Sequence, residues 1–151
     1  MDWYLRKIRA KQIEKELNML QSLSCPKEGW VKTIRQTIGM NTRQLGERCN
    51  VSSERIIKIE ADEAEGRTTL NTLEKAAKAM DCKLVYAFVP LSGILEFIEK
   101  TAENKAKAQL ERASHHMVLE DQKVSNQALN DQIEILKDEL LRNNIKSIWD
   151  K

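Results

Sequence analysis

Apolar residues recur at helical spacing along most of the chain. Between residues 2 and 23, Leu5, Ile8, Ile13, Leu17 and Leu20 form a stripe that predicts a helix, with Ile13 off the best spacing. Ser24 to Gly29 reads as a linker, because Pro26 and Gly29 punctuate helices. Trp30, Val31, Ile34 and Ile38 predict a short buried-face helix over about 30–38, closed by Gly39. Leu45 and Cys49, then Ile56 and Ile59, are the inward positions of two further short helices. A polar loop at 62–66 follows, and then a helix from about Leu70 to Met80. Leu70, Leu73, Ala76, Ala77 and Met80 form its inward face and Thr69 its cap.

The junction of the two helices at 42–60 carries the most specific local signal. Asn50 falls where the chain must reverse, and Asn tolerates a positive φ better than most residues. Ser52 supplies a capping oxygen for the next helix, and either Thr42 or Asn41 caps the one before. Such a helix presents its first-turn side chains outward, the geometry with which a helix-turn-helix enters the DNA major groove.

The run from Lys83 to Val89 differs in kind. It is short, β-branched and aromatic, apolar on both faces, and stopped by Pro90. It predicts a strand, yet no second segment reads as a strong strand, and a lone strand leaves its edges unpaired. Pairing with the same strand of another copy is the economical solution. Pairing with a different protein, or extended coil lying on the helices, are the alternatives.

Beyond it, Ile94, Leu95, Ile98, Ala102, Ala106, Leu110, Ala113 and Met117 predict a long helix from Leu91 to about Lys123, with alanines leaving room for close approach. Ser125 can cap a last helix with Leu129, Ile133, Leu136 and Leu140 inward, and Ile148-Trp149 can fold back as an anchor. The expected fold class is mainly α. An N-terminal helix (1–24) precedes a helix-turn-helix domain (29–81), one short strand (82–90) and a C-terminal helical extension (91–151) for dimerisation or partner binding.

Charge sharpens this picture. The chain of 151 residues has a net charge of +2. Residues 1–58 hold 12 Lys or Arg against 6 Asp or Glu, leaving the remainder at net −4. A basic front half suits nucleic-acid contact. Arg6, Lys7, Arg9, Lys11 and Lys15 cluster on the first helix as a phosphate-binding arm or, more plainly, as its solvated face. Cys25, Cys49 and Cys82 form no Cys-x-x-Cys pair, which argues against zinc and suits a reducing cytoplasm; Cys49 and Cys82 read as small core residues. No signal peptide and no membrane span are expected.

Gln44-Leu45, Val51-Ser52, Ile56 to Glu60, and Leu73 with Ala76-Ala77 and Met80 resemble the phage-repressor-like, or xenobiotic-response-element, helix-turn-helix family. Gly46 departs from it, since that family usually has Ala there; closer helix approach is the expected compensation. Gly29-Trp30-Val31-Lys32-Thr33-Ile34-Arg35, the segment Asp81 to Pro90, His116 to Gln122, and Trp149-Asp150 together resemble the bacterial family named mobile mystery protein A. That resemblance implies a regulator carried on mobile genetic elements, beside a gene for mobile mystery protein B, which contains a Fic domain.

The helix-turn-helix resemblance also implies residue roles. Ser53, Glu54, Arg55 and Lys58 would face DNA bases, Arg55 first and Lys58 second. Arg can donate two bonds to guanine. Glu54 could accept from cytosine or simply favour the helix N-terminus. Thr42, Arg43 and Ser52 lie at helix starts suited to phosphate, and Arg67 could reach the backbone from its loop. Arg35 and Glu60 match the positions of a partly buried structural ion pair.

His115 and His116 point about 100° apart on a helix and cannot share one metal, though His116 could bond Glu120. No nucleophile–base set and no phosphate loop is visible, so no enzyme, cofactor or metal site is expected. The leading expectation is a cytoplasmic, dimeric, sequence-specific repressor of its own operon, nucleoid-associated when bound to double-stranded DNA. The alternative is a toxin–antitoxin role, neutralising a Fic-domain partner. Inhibitors of Fic proteins use a helical Ser/Thr-x-x-x-Glu-Gly/Asn motif. The stretch from Thr68 lacks it, since Ala76 stands four residues after Thr72.

Overall fold

The computed structural model describes residues 1–117 and 125–150, except for the side chains of 114–117. It is mainly helical. Among the described residues there are seven α-helices and no strand: α1 (Trp3–Leu17), α2 (Trp30–Thr37), α3 (Thr42–Cys49), α4 (Ser53–Ala64), α5 (Leu70–Ala79), α6 (Ile94–Met117) and α7 (Asn126–Asn143). Short 3-10 turns follow α1 at Asn18–Leu20 and α7 at Ile145–Trp149. The helices fall into two compact units, Ser22–Phe88 and the two chain ends, Met1–Gln21 with Val89–Lys151.

In the central unit, Val31, Leu45, Ile56, Ile59, Ala76 and Met80 form one core, with Ile34, Met40, Cys49 and Leu73 packed against it. Three apolar residues expected inside are not: Trp30, Ile38 and Leu70 are exposed, and α2 instead turns Val31, Ile34 and Arg35 inward. Cys82 is exposed as well, while Cys49 is half-buried. All four helices of this unit end the same way, each at a residue with positive φ: Gly39, Asn50, Gly66 and Asp81. In each case the next backbone N–H reaches back to a carbonyl of the last turn: Met40 to Arg35, Val51 to Gly46, Arg67 to Asp62, and Cys82 to Ala77. This doubly bonded ending satisfies carbonyls the helix cannot.

The polar stretch at 62–66 is not a loop throughout, because Asp62 to Ala64 form the last turn of α4. The Glu63 carboxylate caps α2 by accepting from the Trp30 and Val31 N–H groups, both at 2.9 Å. A negative group at a helix N-terminus both fills orphan donors and meets the positive end of the dipole. Gly29 is needed beneath it: its φ is +79°, and a Cβ there would lie 2.6 Å from Glu63 Oε2.

In the terminal unit, α1 packs on α6 and α6 on α7. Its core is Trp3, Ala102, Ala106, Ile133, Leu140, Leu141 and Ile148. The two alanines, four residues apart, are fully buried and let α7 approach closely. The stripe expected on α1 is displaced. Leu5 and Ile8 are exposed, whereas Trp3 and Ala10, about two helical turns apart, are buried. Two of its basic residues make local contacts: Arg6 Nε donates to the Met1 carbonyl at 3.1 Å, and the Lys7 ammonium lies 5.1 Å from the centre of the Trp3 ring. Glu14 accepts from the Ile94 N–H at 2.5 Å, capping α6 from α1. Ser125 caps α7, accepting from Ala128 N–H. Trp149 is half exposed and packs on Phe97 with ring centres 5.4 Å apart.

The strand expected at 82–90 is not formed within the chain. No described segment pairs with it, and Val85, Tyr86 and Phe88 stand exposed. The stretch His116 to Gln122 lies largely outside the described residues, as do Glu120 and the helix end expected at Lys123.

Candidate nucleic-acid interface

The site is built where α3 and α4 begin. Asn41 caps α3 through a reciprocal pair: its side chain accepts from Gln44 N–H at 2.8 Å, while Gln44 Oε1 accepts from Asn41 N–H at 2.9 Å. Of the two candidate caps, Asn41 therefore acts, and Thr42 is free for another contact. At the far end of α3, Asn50 adopts φ 56° and ψ 41°, reversing the chain. Ser52 Oγ then accepts from Arg55 N–H at 3.1 Å and starts α4.

Gly46 makes the reversal tight. A Cβ at this position would stand 2.7 Å from the Val51 carbonyl oxygen and 3.2 Å from Ser52 backbone atoms. The compensation for glycine in a helix is thus approach of the turn itself. The result brings the two helix N-termini together: Thr42 Oγ1 and Ser53 Oγ are hydrogen-bonded at 2.8 Å. One hydroxyl of this pair donates to the other, leaving one O–H free for an outside acceptor such as a phosphate oxygen. Ser53 is half-buried and held by this bond, so it supports the face more than it extends it.

Glu54, Arg55 and Lys58 are exposed on α4, while Ile56 and Ile59 are buried beneath them. Ile57 is also exposed, an apolar residue on the same helix to which the sequence alone assigned no role. Arg43 is exposed and pairs with Glu47 on its own helix at 2.5 Å, a surface contact of small strength that a phosphate could replace. Arg67 is elsewhere. It follows α4 at its opposite end, about 16 Å away along the helix, and is held by Asp62 at 3.3 Å and Glu65 at 2.6 Å. The structure does not gather it with the others.

Behind the face, Arg35 and Glu60 form a buried two-pronged pair, Nε to Oε1 at 2.5 Å and Nη2 to Oε2 at 3.1 Å. Arg35 Nη1 also donates to the Met40 carbonyl at 2.9 Å. Both residues are under a tenth exposed, at 8% and 7%. The bond to Glu60 raises the Arg35 pKa further above its ordinary value, against the opposing effect of burial. Arg48 has a second tie that its sequence position does not reveal: Nε donates to the Ala79 carbonyl at 2.6 Å and fixes the end of α5 to α3. Burial also pushes the Cys49 thiol up, with neighbouring Arg48 pulling the other way.

The Ser/Thr-x-x-x-Glu-Gly pattern does occur earlier in the chain, at Ser24, Glu28 and Gly29. It lies in a non-helical linker broken by Pro26, so it supplies no inhibitory helix. Among the described residues, no group of three His, Cys, Asp or Glu is placed to hold a metal ion. None of their helices is long and apolar enough to cross a membrane. Compared with family models, curated proteins and solved structures, the chain matches none.

Proposed function

We propose that this chain is a sequence-specific DNA-binding regulator, with residues 29–81 as a phage-repressor-like helix-turn-helix domain and α4 as its recognition helix. The observation that carries this reading is the Thr42–Ser53 bond, which sets two helix N-termini side by side beneath exposed Glu54, Arg55 and Lys58. Phosphates suit such paired N-termini, and an exposed Arg in the first turn suits a guanine edge. In this reading Arg43, Thr42 and Ser52 position the backbone, Arg55 and Lys58 read bases, and Arg35–Glu60 keeps α4 at its angle.

The molecule works as a homodimer, with 82–90 pairing across the dimer axis. It represses its own operon on a mobile element in the cytoplasm by occupying half-sites about one helical turn apart. The kinship is with mobile mystery protein A, on the strength of the segments quoted above. Direct neutralisation of a Fic protein has weaker support, because the matching motif is not on a helix.

Fluorescence anisotropy on DNA from upstream of its own gene, against scrambled DNA and across several salt concentrations, tests this. Arg55→Ala should weaken operator binding about 5- to 150-fold, the loss of one guanine contact, while Arg67→Ala changes little. Equal and steeply salt-sensitive binding to both DNAs would leave only phosphate attraction and overturn the reading.

A further inference from the structure

The central unit contains an apolar cavity of about 570 Å³. Its walls include Leu23, Trp30, Leu70, Met80, Leu84 and Tyr86. Several of these large side chains remain in water: Leu23 is 61% exposed, Leu70 48% and Tyr86 69%. Exposed apolar side chains gathered around a cavity are a frequent mark of a binding surface. The unpaired backbone of residues 83–89 forms one wall with its first half and carries Phe88, which is 91% exposed, beyond it.

We infer that residues 83–89 of a second copy cover this cavity, and that the second copy's Phe88 is the side chain that fills it. The register argues for this. The segment is bounded on one side by Cys82, whose N–H is engaged with Ala77, and on the other by Pro90, which has no N–H. A two-fold antiparallel pairing that uses the whole segment is therefore centred on Tyr86. It places Leu84 directly opposite Phe88 of the other copy. Opposed residues share one face, with Cβ atoms about 4.5–5.5 Å apart. Leu84 is the half-buried residue of the segment and lines the cavity, so the incoming ring arrives on the cavity side. The contact is reciprocal, each copy supplying one ring and one cavity, as a closed two-fold interface requires.

This inference rests on the strand-paired dimer proposed above but not on DNA binding. Sedimentation equilibrium of the full chain measures it directly. Phe88→Ala should weaken the dimer about tenfold or more, and Phe88→Leu far less. Melting under conditions where the monomer prevails should not change, because Phe88 faces water in the single chain. A second measurement separates pairing from filling: Tyr86→Cys, with the three native cysteines replaced by Ser, should cross-link to itself through a short bis-maleimide. Cross-linking with an unchanged Phe88→Ala dimer would keep the ribbon but overturn Phe88 as occupant, leaving the cavity to a small apolar ligand. A monomer that never cross-links would overturn both.

Discussion

Gly46 shows how one residue decides whether the candidate interface exists. In a helix, glycine is about 1 kcal/mol less favourable than alanine, so propensity alone favours Gly46→Ala. The new methyl would meet the Val51 carbonyl oxygen at 2.7 Å, and backbone held by the Val51–Gly46 hydrogen bond cannot swing aside as a flexible side chain can. Overpacking of this kind costs about 1–3 kcal/mol. Gly46→Ala should therefore lower the melting temperature despite the better helix former. It should also loosen the Thr42–Ser53 contact, seen as faster amide exchange at the start of α4. A raised melting temperature would mean that the turn yields. Asn50 makes the complementary point, since its left-handed conformation is tolerated by Asn and costs more for a β-branched residue.

Arg35 ties together more than its own helix. Its guanidinium joins α2 to α4 through Glu60 and also holds the Met40 carbonyl after the α2 stop. Arg35→Ala would strand a buried carboxylate, which typically costs about 3–5 kcal/mol. A melting temperature lowered by about 10 °C or more is expected for a unit of this size; an unchanged value would remove the pair from its structural role. This scale also shows what a sequence makes legible. Caps and stops were readable because their partners are neighbours: Asn50, Ser52 and Ser125 act within a few residues. Glu63 at the head of α2 and Arg48 at the end of α5 were not, because each partner lies more than thirty residues away. The apolar run at 83–89 predicts a strand, but a ladder needs a second strand, and the described residues contain none. For the candidate site, the same contrast holds. The inward Ile56 and Ile59 followed from local spacing and the outward Glu54, Arg55 and Lys58 from the helix-turn-helix resemblance, whereas the detachment of Arg67 required seeing its two acids.

The two compact units divide the sequence unevenly, and this explains the displaced stripe on α1. Read alone, the first helix offers Leu5 and Ile8 as its best apolar face. The partner that selects its true face is α6, about a hundred residues later, which draws in Trp3 and Ala10 instead. The first twenty-one residues therefore belong with residues 89–151, while residues 22–88 hold a core of their own. Deleting residues 1–21 removes Trp3 from the core with Ala102 and Ala106, and removes the Glu14 cap from α6. Loss of one buried aromatic typically costs about 3–5 kcal/mol. Native-state hydrogen exchange should then show protection lost along α6 and α7, with α2 to α5 unchanged. Equal loss in both sets would mean that the chain unfolds as a single cooperative body. Retained protection in α6 and α7 would mean that their mutual packing suffices without α1.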